Sequence, residues 1–90
     1  MKYKLFKTNQ FKRAFKKLRL SDNQEQTFID VVYKLLNNIE LEKKYKDHTL
    51  TGKYIGFKEC HLKPDLLLIY QINHNILKLV DIGSHSTLFN

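Results

Sequence analysis

The feature of this sequence that most constrains its fold is a segment at 66–72 that is apolar on both faces and lies between two turn sequences. Lys-Pro-Asp at 63–65 and Asn-His-Asn at 73–75 favour turns, because Pro presets its backbone angle and Asn and Asp tolerate turn conformations. Segments 54–62 and 76–82 have the composition of strands. Since a strand that is apolar on both faces is typical of a sheet centre, we predict an antiparallel meander of three strands.

The first half of the chain predicts one short strand and two helices. Residues 3–7 largely alternate apolar and basic side chains, and the Thr8 hydroxyl can cap a helix that follows. Ser21 and Gln24 have the spacing of a capping box for a second helix. The first helix is predicted to bury Phe11, Ala14, Phe15 and Leu18. The second is predicted to bury Phe28, Val31, Val32, Leu35 and Leu36.

These patterns together predict an α+β fold that forms a single domain over residues 1–90. Its order is a short N-terminal strand, a two-helix hairpin, and then the three-stranded antiparallel meander, all within one sheet. We expect residues 43–53 to form a polar loop. Ninety residues are too few to close two separate hydrophobic cores.

The chain carries no sequence signal for export or for a membrane span. Its longest apolar run, at 66–70, is far too short to cross a bilayer, and its first residues lack the apolar region of a signal peptide. The single cysteine, Cys60, excludes an intramolecular disulfide. We therefore expect a cytoplasmic protein with no membrane partner.

Basic residues are concentrated in the first half of the chain. Lys and Arg number 16 against nine Asp and Glu, a net charge of +7, and residues 1–45 hold 11 of the basic and five of the acidic side chains. Such an excess favours phosphate backbones or an acidic protein partner. The alternative is a solvated lysine-rich surface. The first helix contributes Lys12, Arg13, Lys16, Lys17 and Arg19.

The meander predicts that three ionisable groups meet at one edge of the sheet. His61 ends the first strand, Asp65 precedes the second, and His85 follows the third, which returns to the same end. His48 joins them if its loop folds back, whereas His74 lies on the opposite turn. Imidazoles and a carboxylate suit general acid–base catalysis near neutral pH.

Nearby groups extend this hypothesis toward RNA chemistry. We expect Lys53 and Lys58 to hold a phosphate and to stabilise the charge that grows on it. The attacking group can be the substrate's own 2′-hydroxyl, which needs no metal and selects RNA over DNA. Alternatively, the histidines and aspartate are metal ligands, although no HxH or CxxC spacing supports this.

Other conspicuous side chains have structural explanations. Cys60 is adjacent to His61 and so points to the other face of the sheet, where a small buried hydrophobe is its expected role. Tyr45, Tyr54 and Phe57 can stack on bases, but core packing is the default for aromatic residues on strands.

Three blocks of sequence resemble a known toxin family. Residues 45–52 (YKDHTLTG) resemble the Tyr-Lys-Asp-His-x-Leu-x-Gly signature of YafQ-type toxins in the RelE/ParE superfamily. Residues 56–65 (GFKECHLKPD) are similar to the family's His-x-x-Pro-Asp stretch, and 83–89 (GSHSTLF) to its terminal motif. The resemblance implies a RelE-like fold and a ribosome-dependent mRNA interferase without a cofactor or metal.

The resemblance also implies roles for individual residues. His48, His61, Asp65 and His85 correspond to the catalytic set, and Phe89 to a residue that positions the substrate. His85 would be the general acid and His48 the leading candidate for the general base. The products would be a 2′,3′-cyclic phosphate and a 5′-hydroxyl. Implied contacts with ribosomal RNA fall on Lys12, Arg13, Lys16 and Lys17, and a RelB/DinJ-type antitoxin would cover that surface.

The sequence departs from the family pattern at two positions. Leu66 stands where the family often has Trp, and Asp81 stands where it commonly has Arg. A negative charge at the expected phosphate clamp should repel the scissile group, unless Lys53, Lys58 or Lys78 compensates. Asp81 therefore supports a second hypothesis, a non-catalytic ParE-like or inactive interaction protein. The third hypothesis is a regulator that binds nucleic acid, but the chain has no recognisable recognition-helix motif.

Overall fold

Two helices lie against one face of a five-stranded sheet in the computed structural model, which describes residues 1–89. The strands are β1 (Lys4–Lys7), β2 (His48–Thr49), β3 (Lys58–Lys63), β4 (Leu66–Asn73) and β5 (Ile76–Gly83). The helices are α1 (Asn9–Leu18), α2 (Asp22–Leu36) and α3 (His85–Phe89). The predicted α+β class is confirmed; Asn90, the last residue of the predicted domain, lies outside the described residues.

The sheet has the order β1-β5-β4-β3-β2. The predicted meander forms its centre, since β3, β4 and β5 pair antiparallel with β4 in the middle. β1 adds to the outer edge of β5 in parallel. His74 and Asn75 both take positive φ angles, 50° and 63°, as a two-residue hairpin turn between β4 and β5 requires.

Local signals placed the helices correctly. The Thr8 hydroxyl accepts a hydrogen bond from the Phe11 amide at the start of α1. Ser21 and Gln24 make both bonds of the capping box that begins α2. All the apolar residues predicted on the two helices belong to, or pack against, one core cluster on the helix-covered face.

The connection from α2 to β3 differs from the prediction. Residues 43–53 are not simply a loop, because His48 and Thr49 form the edge strand β2 and pair with Glu59 and Lys58. The next strand starts at Lys58 rather than at residue 54. Residues 52–54 form a short 3₁₀ turn instead, and Tyr54 and Phe57 pack on the face of the sheet opposite α1 and α2.

That second face carries a much smaller core. Among residues 1–89, its buried hydrophobic side chains are Leu67, Ile69 and Leu88. Leu88 comes from α3, a helix of five residues that the sequence did not predict, and it closes over β4 at the end where β5 finishes. Among residues 1–89, no helix combines the length and apolar character needed to cross a membrane.

Candidate active site

Three histidines form a line on the thinly covered face of the sheet. The ring centroids of His48 and His61 are 6.2 Å apart, and those of His61 and His85 are 5.5 Å apart. His61 is the most sheltered, with 15% of its side chain exposed, whereas His48 and His85 are about half exposed at 47% and 55%. The structure thus brings the predicted histidines together.

Strand pairing, rather than a loop that folds back, positions His48. His48 in β2 lies directly opposite Glu59 in β3, and paired residues of antiparallel strands present their side chains on the same face. His61 follows Glu59 by two residues and shares that face by the alternation of the strand.

Glu59 is a site residue that the sequence analysis missed. Its side chain is 5% exposed, and Oε1 lies 3.5 Å from Nε2 of His48 and 3.4 Å from Nε2 of His61. Its other oxygen, Oε2, has no hydrogen-bond partner within the described residues. Its spacing of two from His61 was the available signal. A buried carboxylate with a free oxygen between two imidazoles points to a functional role.

The environment of His61 lowers its pKa below the usual value. Desolvation by the surrounding protein is the main cause, and Glu59 opposes it by favouring the charged ring. The charges of Lys46, His85 and His48 add smaller effects that also lower the pKa.

Asp65 contacts His85 and not His61, which the strand-end argument had made its neighbour. Asp65 Oδ1 accepts hydrogen bonds from the backbone N–H of His85 at 3.0 Å and from its ring Nδ1 at 2.9 Å. The register of β3 against β4 shifts between His61 and Lys63, so the turn carries Asp65 toward α3. The two bonds from His85 hold the pKa of Asp65 below its ordinary value.

These contacts favour the same tautomer in two of the rings. Nδ1 of His48 lies at hydrogen-bond distance from the carbonyl oxygen of Lys46, and Nδ1 of His85 faces Asp65. Because both partners only accept, each Nδ1 donates its proton. In the neutral form, Nε2 of each ring then carries the lone pair that can take or return a proton.

Lys58 lies on the face of the sheet opposite His61, a placement that does not favour its predicted role as a phosphate clamp. Its Nζ is 3.2 Å from Asp47 Oδ2, and the hydroxyl of Tyr70 donates to Asp47 Oδ1. Burial raises the pKa of Tyr70, and the bond to Asp47 raises it further. Lys58 and Cys60 share this face by alternation. Cys60 is fully buried as predicted, and burial raises its thiol pKa to about 12.

A cleft of about 590 Å³ opens beside His61 and His85. We call it the histidine cleft. Three cations line it that the sequence analysis did not select, namely Lys44, Lys46 and Lys63. Of these lysines, Lys46 is close enough for its charge to lower the pKa of His61.

Phe89 and Lys53 lie at the α3 side of the site. The Phe89 ring is 6.5 Å from that of His85 and 5.7 Å from that of Tyr54, centroid to centroid. Phe89 is 43% exposed, so its free surface is available to a substrate. Lys53 Nζ lies 5.5 Å from the centroid of Tyr54, one ring removed from Phe89.

Asp81 is not among the residues that line the histidine cleft. Its carboxylate is 9% exposed and accepts hydrogen bonds from Gln10 Nε2 at 2.6 Å and from the Ile82 backbone N–H at 2.8 Å. The register of β5 against β4 shifts just before it, at Val80, which turns Asp81 toward α1. The repulsion of the scissile phosphate by Asp81 stays a prediction.

The remaining predicted residues are placed as follows. Lys12, Arg13, Lys16 and Lys17 are exposed on α1. His74 lies in the β4–β5 turn, away from the other three histidines. Within residues 1–89, no group of three or more His, Cys, Asp or Glu side chains is arranged to hold a metal ion.

Comparison with known proteins gives consistent matches. The sequence profile described as a bacterial toxin of type II toxin–antitoxin system, YafQ, matches residues 3–90. The mRNA interferase toxin YafQ of Escherichia coli K12 is 39% identical over 56 residues, which are 61% of this chain and 61% of that protein.

Solved structures match over nearly the whole chain. A copper-bound L66S mutant toxin from Helicobacter pylori superposes with a TM-score of 0.89 at 36% identity, covering 97% of this chain and 99% of that one. The E. coli DinJ–YafQ complex contains a chain that superposes with a TM-score of 0.85 at 28% identity, covering 98% and 99%. Both have the fold described above.

Proposed function

This chain belongs to the YafQ family of bacterial toxins of type II toxin–antitoxin systems, and we propose that it is an endoribonuclease that cuts messenger RNA in the histidine cleft. The observation that carries the proposal is the line of three imidazoles, His48, His61 and His85, with centroids 6.2 and 5.5 Å apart. The E. coli relative is named an mRNA interferase toxin, which supports the substrate class. We place the reaction in the cytoplasm, on messages held by the ribosome.

The proposed reaction needs two proton transfers, and the outer rings supply them. Nε2 of His48 takes the proton of the 2′-hydroxyl as the O2′–P bond forms. The P–O5′ bond breaks, and His85 gives a proton from Nε2 to the leaving 5′-oxygen. The products are a 2′,3′-cyclic phosphate and a 5′-hydroxyl. Asp65 orients His85, and Glu59 stabilises the charge that develops on His48 as it takes the proton.

The phosphate itself is proposed to sit beside His61, between the two outer rings. Lys46 and Lys63 are the cations of the cleft that we assign to the phosphate oxygens, because preorganised charges stabilise the negative charge of the transition state. Phe89 supports a neighbouring base by stacking on its exposed ring.

The test is cleavage mapped on messages after brief induction, comparing wild type with His85→Ala. Loss of the general acid is expected to reduce cleavage by about 10²- to 10⁴-fold. The matched control is His74→Ala, an exposed histidine in the β4–β5 turn, which should cleave like wild type. Cleavage by His85→Ala at the wild-type rate would overturn the assignment.

A second arm separates catalysis from binding alone. If the fourfold substitution of His48, His61, Asp65 and His85 still inhibits growth like wild type, the protein acts as a non-catalytic interaction protein. A third arm adds excess EDTA to purified components. We expect cleavage to persist, because the imidazoles carry out both proton transfers and the lysines hold the phosphate. Cleavage that stops with EDTA and returns with added metal would instead favour a metal centre, as in the toxin from H. pylori that is described as metal-bound.

We also propose a DinJ-type antitoxin as the partner protein. The support is the E. coli DinJ–YafQ toxin–antitoxin complex, whose toxin chain shares this fold. Coexpression of a DinJ-type protein encoded beside this chain should restore growth and yield a complex that copurifies. Growth inhibition that persists despite equal expression of both proteins would contradict the proposal.

A further inference from the structure

A second cavity lies on the opposite side of α3 from the histidine cleft. It is a groove of about 800 Å³ between α1 and the end of β5. Four cations line it, namely Arg13, Lys16, Lys17 and Arg19, and Gly83 and Thr87 contribute from β5 and α3. We call it the basic groove. Its volume lies near the upper end of the usual range for ligand sites.

The short helix α3 borders both cavities. His85 lines the histidine cleft, and Thr87, two residues later, lines the basic groove. Two successive steps along a helix turn a side chain by about 200°, so Thr87 points away from His85. A strand of RNA whose scissile phosphate lies beside His85 therefore reaches the groove by crossing this one helix, which is about 10–12 Å wide with its side chains.

The cations of the groove make no ion pair in the part of the chain that the structure describes. Within residues 1–89, no carboxylate lies within 4.0 Å of the charged nitrogens of Arg13, Lys16, Lys17 or Arg19. The one carboxylate of the groove, Asp81, is recessed and bonded to Gln10 and the Ile82 N–H. Unpaired like charges gathered along one groove repel each other, and a polyanion relieves that repulsion.

We propose that the basic groove binds the backbone of the message next to the scissile phosphate, as a subsite for single-stranded RNA. The inference rests on the proposed function of the histidine cleft, because that cleft fixes one point of the strand. Message is favoured over ribosomal RNA because the groove adjoins that cleft across α3. Lys12 of the same helix lies outside the groove, on a surface that remains available to ribosomal RNA.

The experiment measures binding, so that it does not depend on cleavage. The probes are fluorescent 2′-O-methyl RNAs of three and nine nucleotides, which lack the attacking hydroxyl, and anisotropy gives their affinities across a salt series. The short probe fills only the histidine cleft, whereas the long one also reaches the groove. The test variant is Arg13→Ala/Lys17→Ala. The matched control, Lys4→Ala/Lys7→Ala, removes the same charge from the exposed strand β1.

The groove variant is expected to bind the long probe about tenfold more weakly and the short probe within twofold of wild type. Two lost phosphate contacts should also reduce the slope of log K against log salt by about 1.4. The β1 control should bind both probes like wild type. Arg13→Lys/Lys17→Arg should restore binding, while equal melting temperatures show that all variants fold.

Three results would overturn the inference. In the first, the groove variant loses the same affinity for both probes. In the second, the β1 control loses as much affinity for the long probe as the groove variant does. Either result indicates a non-specific electrostatic attraction rather than a subsite. In the third, the groove variant binds both probes normally but loses affinity for ribosomes, which assigns the groove to ribosomal RNA. Normal cleavage by His85→Ala would instead contradict the proposed function. The difference in affinity between the long and short probes would still stand, so the two failures can be told apart.

Discussion

Two carboxylates beside β2 and β3 lie on opposite faces of the sheet and have opposite environments. Asp47, on the helix-covered face, accepts hydrogen bonds from the Tyr70 hydroxyl and the Lys58 ammonium. Glu59, on the other face, contacts two imidazoles through one oxygen and leaves the other without a hydrogen-bond partner. A buried polar group without a partner costs about 1–3 kcal/mol.

The difference shows which carboxylate belongs to the scaffold and which to the site. The bonds of Asp47 fix the segment before β2, and the next residue, His48, then points to the other face by alternation. The fold alone does not require a buried carboxylate oxygen without a hydrogen-bond partner at Glu59. We therefore explain the position of Glu59 by its effect on His48 and His61. Substitutions at the two positions should therefore separate stability from activity.

Among the changes that test this comparison, Glu59→Gln is expected to have the largest effect. The amide keeps the shape of the side chain but removes the charge that stabilises protonated His48, so we expect RNA cleavage to fall about 100-fold. The free energy of unfolding should not fall, because the variant no longer buries a charge. Cleavage assays, their pH profile and urea unfolding test this together. A loss of stability with an unchanged pH profile would make Glu59 a scaffold residue.

The next effect is expected for Asp47→Ala, and it should be mainly structural. The change leaves the buried Tyr70 hydroxyl without its acceptor and should lower the free energy of unfolding by about 2 kcal/mol. Tyr70→Phe and the double variant complete a double-mutant cycle in urea. A coupling energy near zero between the two positions would show that their contact does not stabilise the fold.

The fold was predictable where signals are local. Thr8, Ser21 and Gln24 cap their helices through bonds within one turn, and the turn residues at 64–65 and 74–75 define the meander. β2 was missed because two residues carry no periodicity, and their strand exists only through pairing with β3. α3 was missed because a helix of five residues depends on Leu88 packing over β4.

The site was predictable to the level of strand ends and no further. Antiparallel pairing was enough to bring His61 and His85 together. The partner of Asp65 depended on a register shift between His61 and Lys63, which no sequence pattern announces. By contrast, the alternation of a strand already places Glu59 on the same face as His61 and Lys58 on the opposite face. Both placements could therefore have been predicted from the sequence.

A smaller effect is expected when pH changes the free energy of unfolding through His61, which shares the face of Glu59. The pKa of His61 is lower in the folded protein than in the unfolded chain, mainly through desolvation. As pH falls below about 6.5, the unfolded chain takes up this proton first, so stability should fall toward the folded pKa and be fully present above 6.5. The measurement is urea unfolding between pH 5 and 8 for wild type and His61→Gln. Equal pH dependence of the two proteins would contradict the assignment to His61.

The last prediction, with the smallest expected effect, concerns the labelling of the Cys60 thiol. Cys60 lies between Glu59 and His61 in the sequence, but its side chain points into the helix-covered core. Its side chain is fully buried and its thiol pKa is raised to about 12, so the native protein should hold no reactive thiolate at pH 8. An aromatic disulfide reagent should therefore label it only at the rate at which the protein opens, and full labelling should appear in denaturant. Tyr70→Phe, which loosens the same face, should speed labelling, whereas Glu59→Gln should not. Rapid labelling of the native protein would mean that the two faces are not separated as described.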